Sequence, residues 1–307
     1  MPFKTVPIKN HWELLRPFTL LAPAIGVVAG GMMALGGASP RPEISWRVVA
    51  WLAVGAAAAS LLNGASNTIN QIFDLEIDRI NRPARPLPSG RVSIAEAWGV
   101  AVVLVAVSLS AGWFVGPREA RHAFFWLGLA ATVITFLYSA PPVRFKRHWG
   151  SANVAIALPR GLLLPVAGWA AVASPAIPDP WCIGVVLFLF LLGAASTKDF
   201  ADIRGDSACG CRTLPVKFGV QKAAEIMAFF LILPFLLFPL WSWLGWVGGR
   251  AAVFDLLGVG LAAWGAHVAR IILRRPEDLA VENHPSWFHM YLMMMVALAG
   301  SALAYWI

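Results

Sequence analysis

Read for polarity, the chain is a series of long apolar runs separated by short polar ones. Windows free of Asp, Glu, Lys and Arg run from Pro17 to Pro40, Val48 to Phe73, Ala97 to Pro117, Ala123 to Val143, Pro180 to Thr197, Ile226 to Gly249 and Asn283 to Ile307. Trp149 to Ser174 and Ala251 to Ala269 are as apolar except for one charge each, Arg160 and Asp255. Every window is long enough, or nearly so, for a helix to cross a hydrocarbon layer about 30 Å thick, which takes roughly 20 residues. The pattern predicts an all-α membrane bundle of nine transmembrane helices around a central cavity. Nine spans use up most of residues 1–307, so a single integral-membrane domain is expected. The first run exceeds a signal-peptide core of roughly 7–15 residues and is read as a retained span.

Composition agrees with this pattern. Apolar residues make up 59% and charged residues 13% of the 307, against about 25% charged in an average soluble domain. The net charge of +8 raises the question of a nucleic-acid partner, and the placement of the basic residues answers it. With the amino terminus in the cytoplasm, 18 Lys and Arg, from Lys4 to Arg275, fall on the cytoplasmic side and five, Arg41, Arg47, Arg118, Arg121 and Arg250, on the other. This is the positive-inside bias, so the charge reports orientation and no nucleic-acid partner is expected. Cys209-x-Cys211 lies in a loop on the reducing side and is read as two ordinary small residues.

The acidic residues are concentrated. Of 16, six lie in two stretches at the ends of the second and sixth runs, Asn70 to Asp78 and Lys198 to Asp206. At helical spacing Asn70, Asp74 and Asp78 form one stripe and Lys198, Asp202 and Asp206 another, with Asp199 beside it. Like charges four residues apart disfavour a helix, so each stripe needs positive charge nearby. Asp74 to Asp202 and Asp78 to Asp206 are each 128 residues apart, and each motif is followed by Arg-x-Leu-Pro, Arg85 to Pro88 and Arg212 to Pro215. The spacing predicts two pseudo-repeated halves, about 15–145 and 150–275, plus a ninth helix at 285–307.

Facing carboxylates suit Mg²⁺, a hard ion commonly held by carboxylates together with substrate phosphates. Arg82, Arg85, Lys198 and Arg212 suit the remaining phosphate oxygens. At the end of an apolar bundle, the expected ligand is a diphosphate carrying a hydrocarbon tail. Ionisation of its allylic C–O bond would be helped by metal ions on the leaving group, and a nucleophilic acceptor would capture the cation.

At these residues the chain resembles the UbiA superfamily of intramembrane prenyltransferases, whose motifs read NxxxDxxxD and DxxxD. Asn70, Asp74 and Asp78 match the first motif, Asp202 and Asp206 the second, and Asp199 the additional acidic position. The resemblance implies metal ligation by Asn70, Asp74, Asp78, Asp202 and Asp206, with two or more Mg²⁺ ions bound alongside the diphosphate. It implies leaving-group stabilisation by Lys198 and Arg85. Tyr138-Ser139-Ala140-Pro141-Pro142, followed by Arg144 and Lys146, resembles the loop after the fourth helix. The run from Asp78 to Pro83, then Pro86 to Gly90, is similar to chlorophyll synthases and homogentisate prenyltransferases. The Tyr-Pro-x-x-Lys-Arg pattern of 4-hydroxybenzoate polyprenyltransferases is absent. The implied partners are an isoprenoid diphosphate donor such as geranylgeranyl diphosphate, a hydrophobic or aromatic acceptor, and membrane lipids. The implied location is the cytoplasmic membrane, as a multi-pass protein with its site toward the cytoplasmic face.

Other residues have two readings. Arg160 falls near the middle of the fifth run, where a lone charge is costly; it lines a substrate pocket, or it snorkels or binds backbone carbonyls. Tyr138 faces the cavity or sits at the membrane interface. Asn63 and Asn67 orient substrate or bond between helices. Asn153 is open in the same way, whereas Glu76 reads as solvated and His267, Asp255 and Met293 to Met295 as packing or interface residues. No general base is evident beyond Asp199 as a candidate. Two rival functions remain at this stage. A terpene cyclase would use the same metal site without an external acceptor, and a secondary transporter would place its ionisable residues at the midplane.

Overall fold

The computed structural model describes residues 7–281 and 284–307. Lys4 and Asn283, counted above in the charge bias and the last apolar window, lie outside the described residues. Among those residues there is no β-strand, only helices and one isolated bridge between His148 and Arg212. Eight helices are long and apolar enough to span a membrane: α1 (Pro17–Gly37), α2 (Trp46–Phe73), α3 (Ile94–Trp113), α5 (Trp149–Ala170), α6 (Pro178–Ala201), α7 (Val220–Trp243), α8 (Ala251–Arg274) and α9 (Pro285–Ala304). The remaining one, α4 (Ala123–Ser139), has 17 residues. At about 1.5 Å per residue it falls a few ångströms short of the hydrocarbon thickness.

Local chemistry sets the helix starts. The Ser45 side chain accepts from Val48 N at the head of α2, and α3 opens with a capping box in which Ser93 and Glu96 satisfy each other's backbone N–H. The helices pack in a ring, with α1 against α2, α5 and α9, and the series α5 to α9 packed in succession. Where α1 meets α5 the two backbones nearly touch, since a Cβ on Gly168 would stand 2.9 Å from the Gly30 and Val27 Cα atoms. Small residues permit such close approach, which drives helix association in lipid. At the end away from the acidic motifs, α9 locks onto its neighbours. Trp306 Nε1 donates to Met32 O at 2.8 Å and the Tyr305 hydroxyl to Asp179 Oδ1 at 2.7 Å. The largest buried side chains include Trp169, Phe190, Phe235 and Phe254, while Val102, Val103, Leu256 and Val259 point outward. An apolar exterior of this kind fits a lipid surround.

Two departures from regular helix shape the interior. In α5 the segment Leu158–Leu163 is a π turn. Pro159 has no N–H to give to the helical ladder, and the chain widens by one residue there instead of breaking. The second departure occurs twice. The acidic stripes do not sit on uninterrupted helices: α2 stops at Asp74 (φ −99°, ψ 12°) and restarts as Leu75–Asn81, and α6 stops at Asp202 (φ −101°, ψ 1°) and restarts as Ile203–Ala208. The bonds from Asp74 N to Asn70 O, Asp78 N to Asp74 O and Asp206 N to Asp202 O survive, at 2.8–3.0 Å. The spacing of four residues therefore still carries each pair to one side. The two short helices pack against each other.

Candidate active site

Where α2 and α6 end, the bundle encloses a cavity of about 380 Å³. Asn70, Asp74 and Asp78 line one wall, and Lys198, Asp199, Asp202 and Asp206 face them from the other. Asn81, at the end of its short helix, ties the walls together. Its Nδ2 donates to Asp202 O at 3.2 Å, and its Oδ1 accepts from Gly205 N at 3.0 Å.

Three carboxylates already have cationic partners. Lys146 Nζ lies 2.5 Å and Arg144 Nη2 3.6 Å from Asp74 Oδ1, while Asp74 Oδ2 accepts from Asn70 Nδ2 at 2.7 Å. Arg85 Nη1 donates to both oxygens of Asp78, at 2.6 and 2.8 Å. Arg82 pairs with Asp202. Asp199 and Asp206 are buried and, among the described residues, neither side chain has a hydrogen-bond or ion-pair partner. Burial pushes the Asp206 carboxyl up to about 6, with the charges of Asp202 and Asp74 adding to the rise and Lys146 opposing it. Two basic side chains are equally uncommitted. Among the described residues Lys198 Nζ has only the face of the Tyr138 ring, 5.9 Å from its centroid, and Arg16 has no carboxylate partner, with its buried Nε unsatisfied. Burial, and then the neighbouring Arg85, bring the Arg16 guanidinium down to about 10, so it stays charged at neutral pH.

These residues fit a site for diphosphate and divalent metal. Among the described residues no three Asp, Glu, His or Cys side chains form a ready-made metal cluster, and Lys146, Arg85 and Arg82 are paired with three of the carboxylates. Five carboxylates meet five basic side chains at this end of the cavity. A diphosphate entering so balanced a site brings charge that only added cations can offset. The donor set is hard oxygen, as Mg²⁺ prefers. The Thr213 hydroxyl lines the same cavity and has no hydrogen-bond partner.

Other predicted residues are placed as follows. Tyr138 lines the cavity. Arg212 does not: its side chain is exposed, and its part in the structure is a backbone bond from its N–H to Arg147 O at 2.8 Å. The Arg-x-Leu-Pro match thus puts a guanidinium in the site only in the first half, through Arg85. Arg144 reaches Asp74 from outside the cavity wall and also donates to Phe73 O at 3.2 Å. Asn67 lines the cavity, but its amide is engaged in holding the chain before α1, donating to Leu15 O and Thr19 Oγ1 at 2.9 and 2.8 Å. Asn153 ties α5 to α6 through Leu192 O and Ser196 Oγ, at 2.6 and 2.8 Å. Glu76 is exposed and paired with Arg79. Met293 is buried in packing, but Met294 lines the cavity with Met290, Trp287 and Tyr291 of α9.

Sequence reasoning did not single out two contributors. In the sequence Arg16 counts only toward the basic bias; its backbone is left-handed (φ 52°) and it lines the cavity, and nothing local marks that. Asn81 lies inside the Asp78 to Pro83 run, which the resemblance covers without giving it a role, and that role appears only when Gly205 comes up against it.

Fold and site together define a membrane-embedded enzyme class in which two acidic helix ends face each other across a cavity opening into an apolar bundle. The chain belongs to the UbiA prenyltransferase family, whose pattern matches residues 27–293, and it is an integral, multi-pass membrane prenyltransferase. It is 34% identical to a digeranylgeranylglyceryl phosphate synthase of Thermococcus kodakarensis over 73% of this chain and 74% of that one. It is 30% identical to the bacteriochlorophyll synthase 34 kDa chain of Chloroflexus aurantiacus over 94% and 88%. A UbiA homologue from Archaeoglobus fulgidus, solved bound to GPP and Mg²⁺, has the same fold, with a TM-score of 0.71 at 21% identity over 97% of this chain and all of that one.

Proposed function

We propose that the protein transfers an isoprenoid chain from an allylic diphosphate, geranylgeranyl diphosphate among the donors to try first, to a lipophilic or aromatic acceptor, releasing diphosphate. One observation carries the reading: two acidic helix ends with matching kinks converge on a cavity whose basic side chains include two, Arg16 and Lys198, that no carboxylate occupies. Those two bind the incoming diphosphate directly. Arg85, Arg82 and Lys146 follow by exchanging a carboxylate for a phosphate oxygen, which frees Asp78, Asp202 and Asp74, with Asp206 and Asn70, to hold two or more Mg²⁺ ions. The ions supply positive charge to the departing diphosphate. When the C–O bond breaks, the bonding pair leaves with diphosphate. Tyr138 presents a ring face near the allylic carbon, where an aromatic quadrupole stabilises positive charge. The acceptor then attacks that carbon and loses a proton, for which Asp199 is the candidate base. The matching kinks also support the reading of two pseudo-repeated halves, and the 18-to-five basic bias supports a site facing the cytoplasm.

The test is Mg²⁺-dependent diphosphate release from geranylgeranyl diphosphate by the purified protein, with acceptors supplied one at a time: homogentisate, a chlorophyllide, a dihydroxynaphthoate and geranylgeranylglyceryl phosphate. Release that requires one acceptor identifies the branch. Release with no acceptor, accompanied by a cyclic hydrocarbon or alcohol, makes the protein a cyclase and overturns the transfer reading.

A further inference from the structure

One charged residue lies in the interior of α5, and the diphosphate site does not use it. Arg160 sits in the π turn, where the cavity narrows into a second, apolar pocket of about 100 Å³ between α2, α3, α4 and α5. Leu62, Leu109, Leu127 and Phe124 are among the residues lining that pocket, and Arg160 and Asn63 line both volumes.

The guanidinium donates one hydrogen bond, to Asn63 Oδ1 at 3.3 Å. Among the described residues no carboxylate lies within the 4.0 Å of an ion pair, and no backbone carbonyl accepts from it. Arg160 therefore neither snorkels onto the backbone nor belongs to a salt bridge. Asn63 is held in turn, since its Nδ2 donates to Thr19 O and Thr19 Oγ1 at 3.1 and 3.2 Å, and this turns its oxygen toward Arg160. A cation deep in an apolar bundle is costly and marks a functional site by default. A guanidinium with free N–H groups is shaped to take two oxygens of one anion.

That anion is set apart from a diphosphate seated at Asp74. Asn63 and Asp74 are on the same helix, 11 residues apart, which is about 16 Å of helical rise. It is not the nucleophile either, because the carbon under attack adjoins the diphosphate. We propose that Arg160, positioned by Asn63, anchors an anionic group of the acceptor, a carboxylate or a phosphate, remote from the acceptor's reacting atom. The acceptor's apolar body then rests against the second pocket. This deepens the prenyl-transfer reading and rests on it. An acceptor whose sole acid group is the one alkylated does not fit.

The test compares the wild-type protein with Arg160→Gln and Arg160→Lys. Acceptors are paired so that members differ only in the anion: homogentisate with its methyl ester, and geranylgeranylglyceryl phosphate with geranylgeranylglycerol. Mg²⁺-dependent binding of geranylgeranyl thiolodiphosphate serves as the donor-site control. The wild type should prefer the anionic member of one pair by about 30- to 10³-fold in kcat/KM, the cost of leaving unmatched a cation that the seated acceptor shuts off from water. Arg160→Gln should raise the acceptor KM and erase most of that preference, with kcat and donor binding changed by about twofold or less. Arg160→Lys should recover part of it. The pair that responds distinguishes carboxylate from phosphate. Equal use of charged and neutral members, a preference that survives in Arg160→Gln, or loss of donor binding in that variant overturns the proposal and leaves the transferase reading intact. So does a wild type that binds the thiolodiphosphate but uses neither anionic acceptor. Failure of the wild type to bind the thiolodiphosphate with Mg²⁺ overturns the diphosphate-site assignment instead.

Discussion

The two acidic helix ends share a break at Asp74 and at Asp202, though the α6 side is interrupted once more at Ala195–Ser196, and they keep quite different company. On the α2 side Asp74 and Asp78 are each held by a basic side chain from the loops beyond, Lys146 and Arg85. On the α6 side Asp202 is paired, while Asp199 and Asp206 are buried and, among the described residues, without partners. The contrast assigns the halves different work. The first is electrostatically complete and helps hold the fold, whereas the second carries excess negative charge and gains most when cations arrive. Carboxylates at the same spacing are held by basic side chains on one side and stand open on the other.

The comparison breaks most visibly under single carboxamide substitutions. Asp74→Asn and Asp206→Asn should each lower diphosphate release by about 10²- to 10³-fold or more. Activity retained in either variant would remove that residue from the metal assignment. Stability should separate the same two variants. Asp74→Asn leaves Lys146, whose side chain is 6% exposed, buried beside a lost partner, at a cost of about 3–5 kcal/mol. Asp206→Asn removes a charge that burial disfavours and should leave the thermal midpoint in detergent unchanged or higher; an equal fall in both variants would erase the distinction between the halves. Gly205→Ala probes the joint between them. A Cβ there would lie 2.5–2.8 Å from the Asn81 side-chain atoms, so the clip must shift, and turnover should drop by about tenfold with a stability loss of only about 1–3 kcal/mol. The smallest effect is thermal: Mg²⁺ added with inorganic diphosphate should raise the midpoint of the wild type by a few degrees and that of Asp206→Asn by much less.

Much of this could be read from the sequence. The spans follow from charge-free length, and the opposed carboxylates follow from spacing four residues apart at the ends of two of those spans. The rest depends on contacts between residues distant in the chain. That Asp74 would meet Lys146 and Arg144, that Asn81 would bridge to Gly205, and that Arg16 would turn inward are outcomes of packing, with no local periodicity to announce them. Arg212 shows the converse. Its motif matches that of Arg85, yet the loop after the second motif is pinned by a backbone bond to Arg147, so the equivalent side chain points out of the site. The kinks at Asp74 and Asp202 are also invisible to pattern, because the four-residue bonds that carry Asp78 and Asp206 past them persist, although Asp202 N itself turns to Asp199 O, three residues back.

The widened turn in α5 has an effect on register. Wound as regular α-helix, the same chain would carry every residue beyond the turn about 100° away from where it now stands. The stretch before the turn packs chiefly on α6 and the stretch after it chiefly on α1, so a single helix serves two walls that no straight helix would face at once. Arg160 stands at the point where the allegiance changes. Forcing Leu158–Leu163 into regular α-helix without shortening the chain would swing Gly168 away from Gly30, parting α5 from α1 even though no contact residue had been altered; deleting one residue from the turn would instead restore an ordinary helix with Gly168 still facing Gly30.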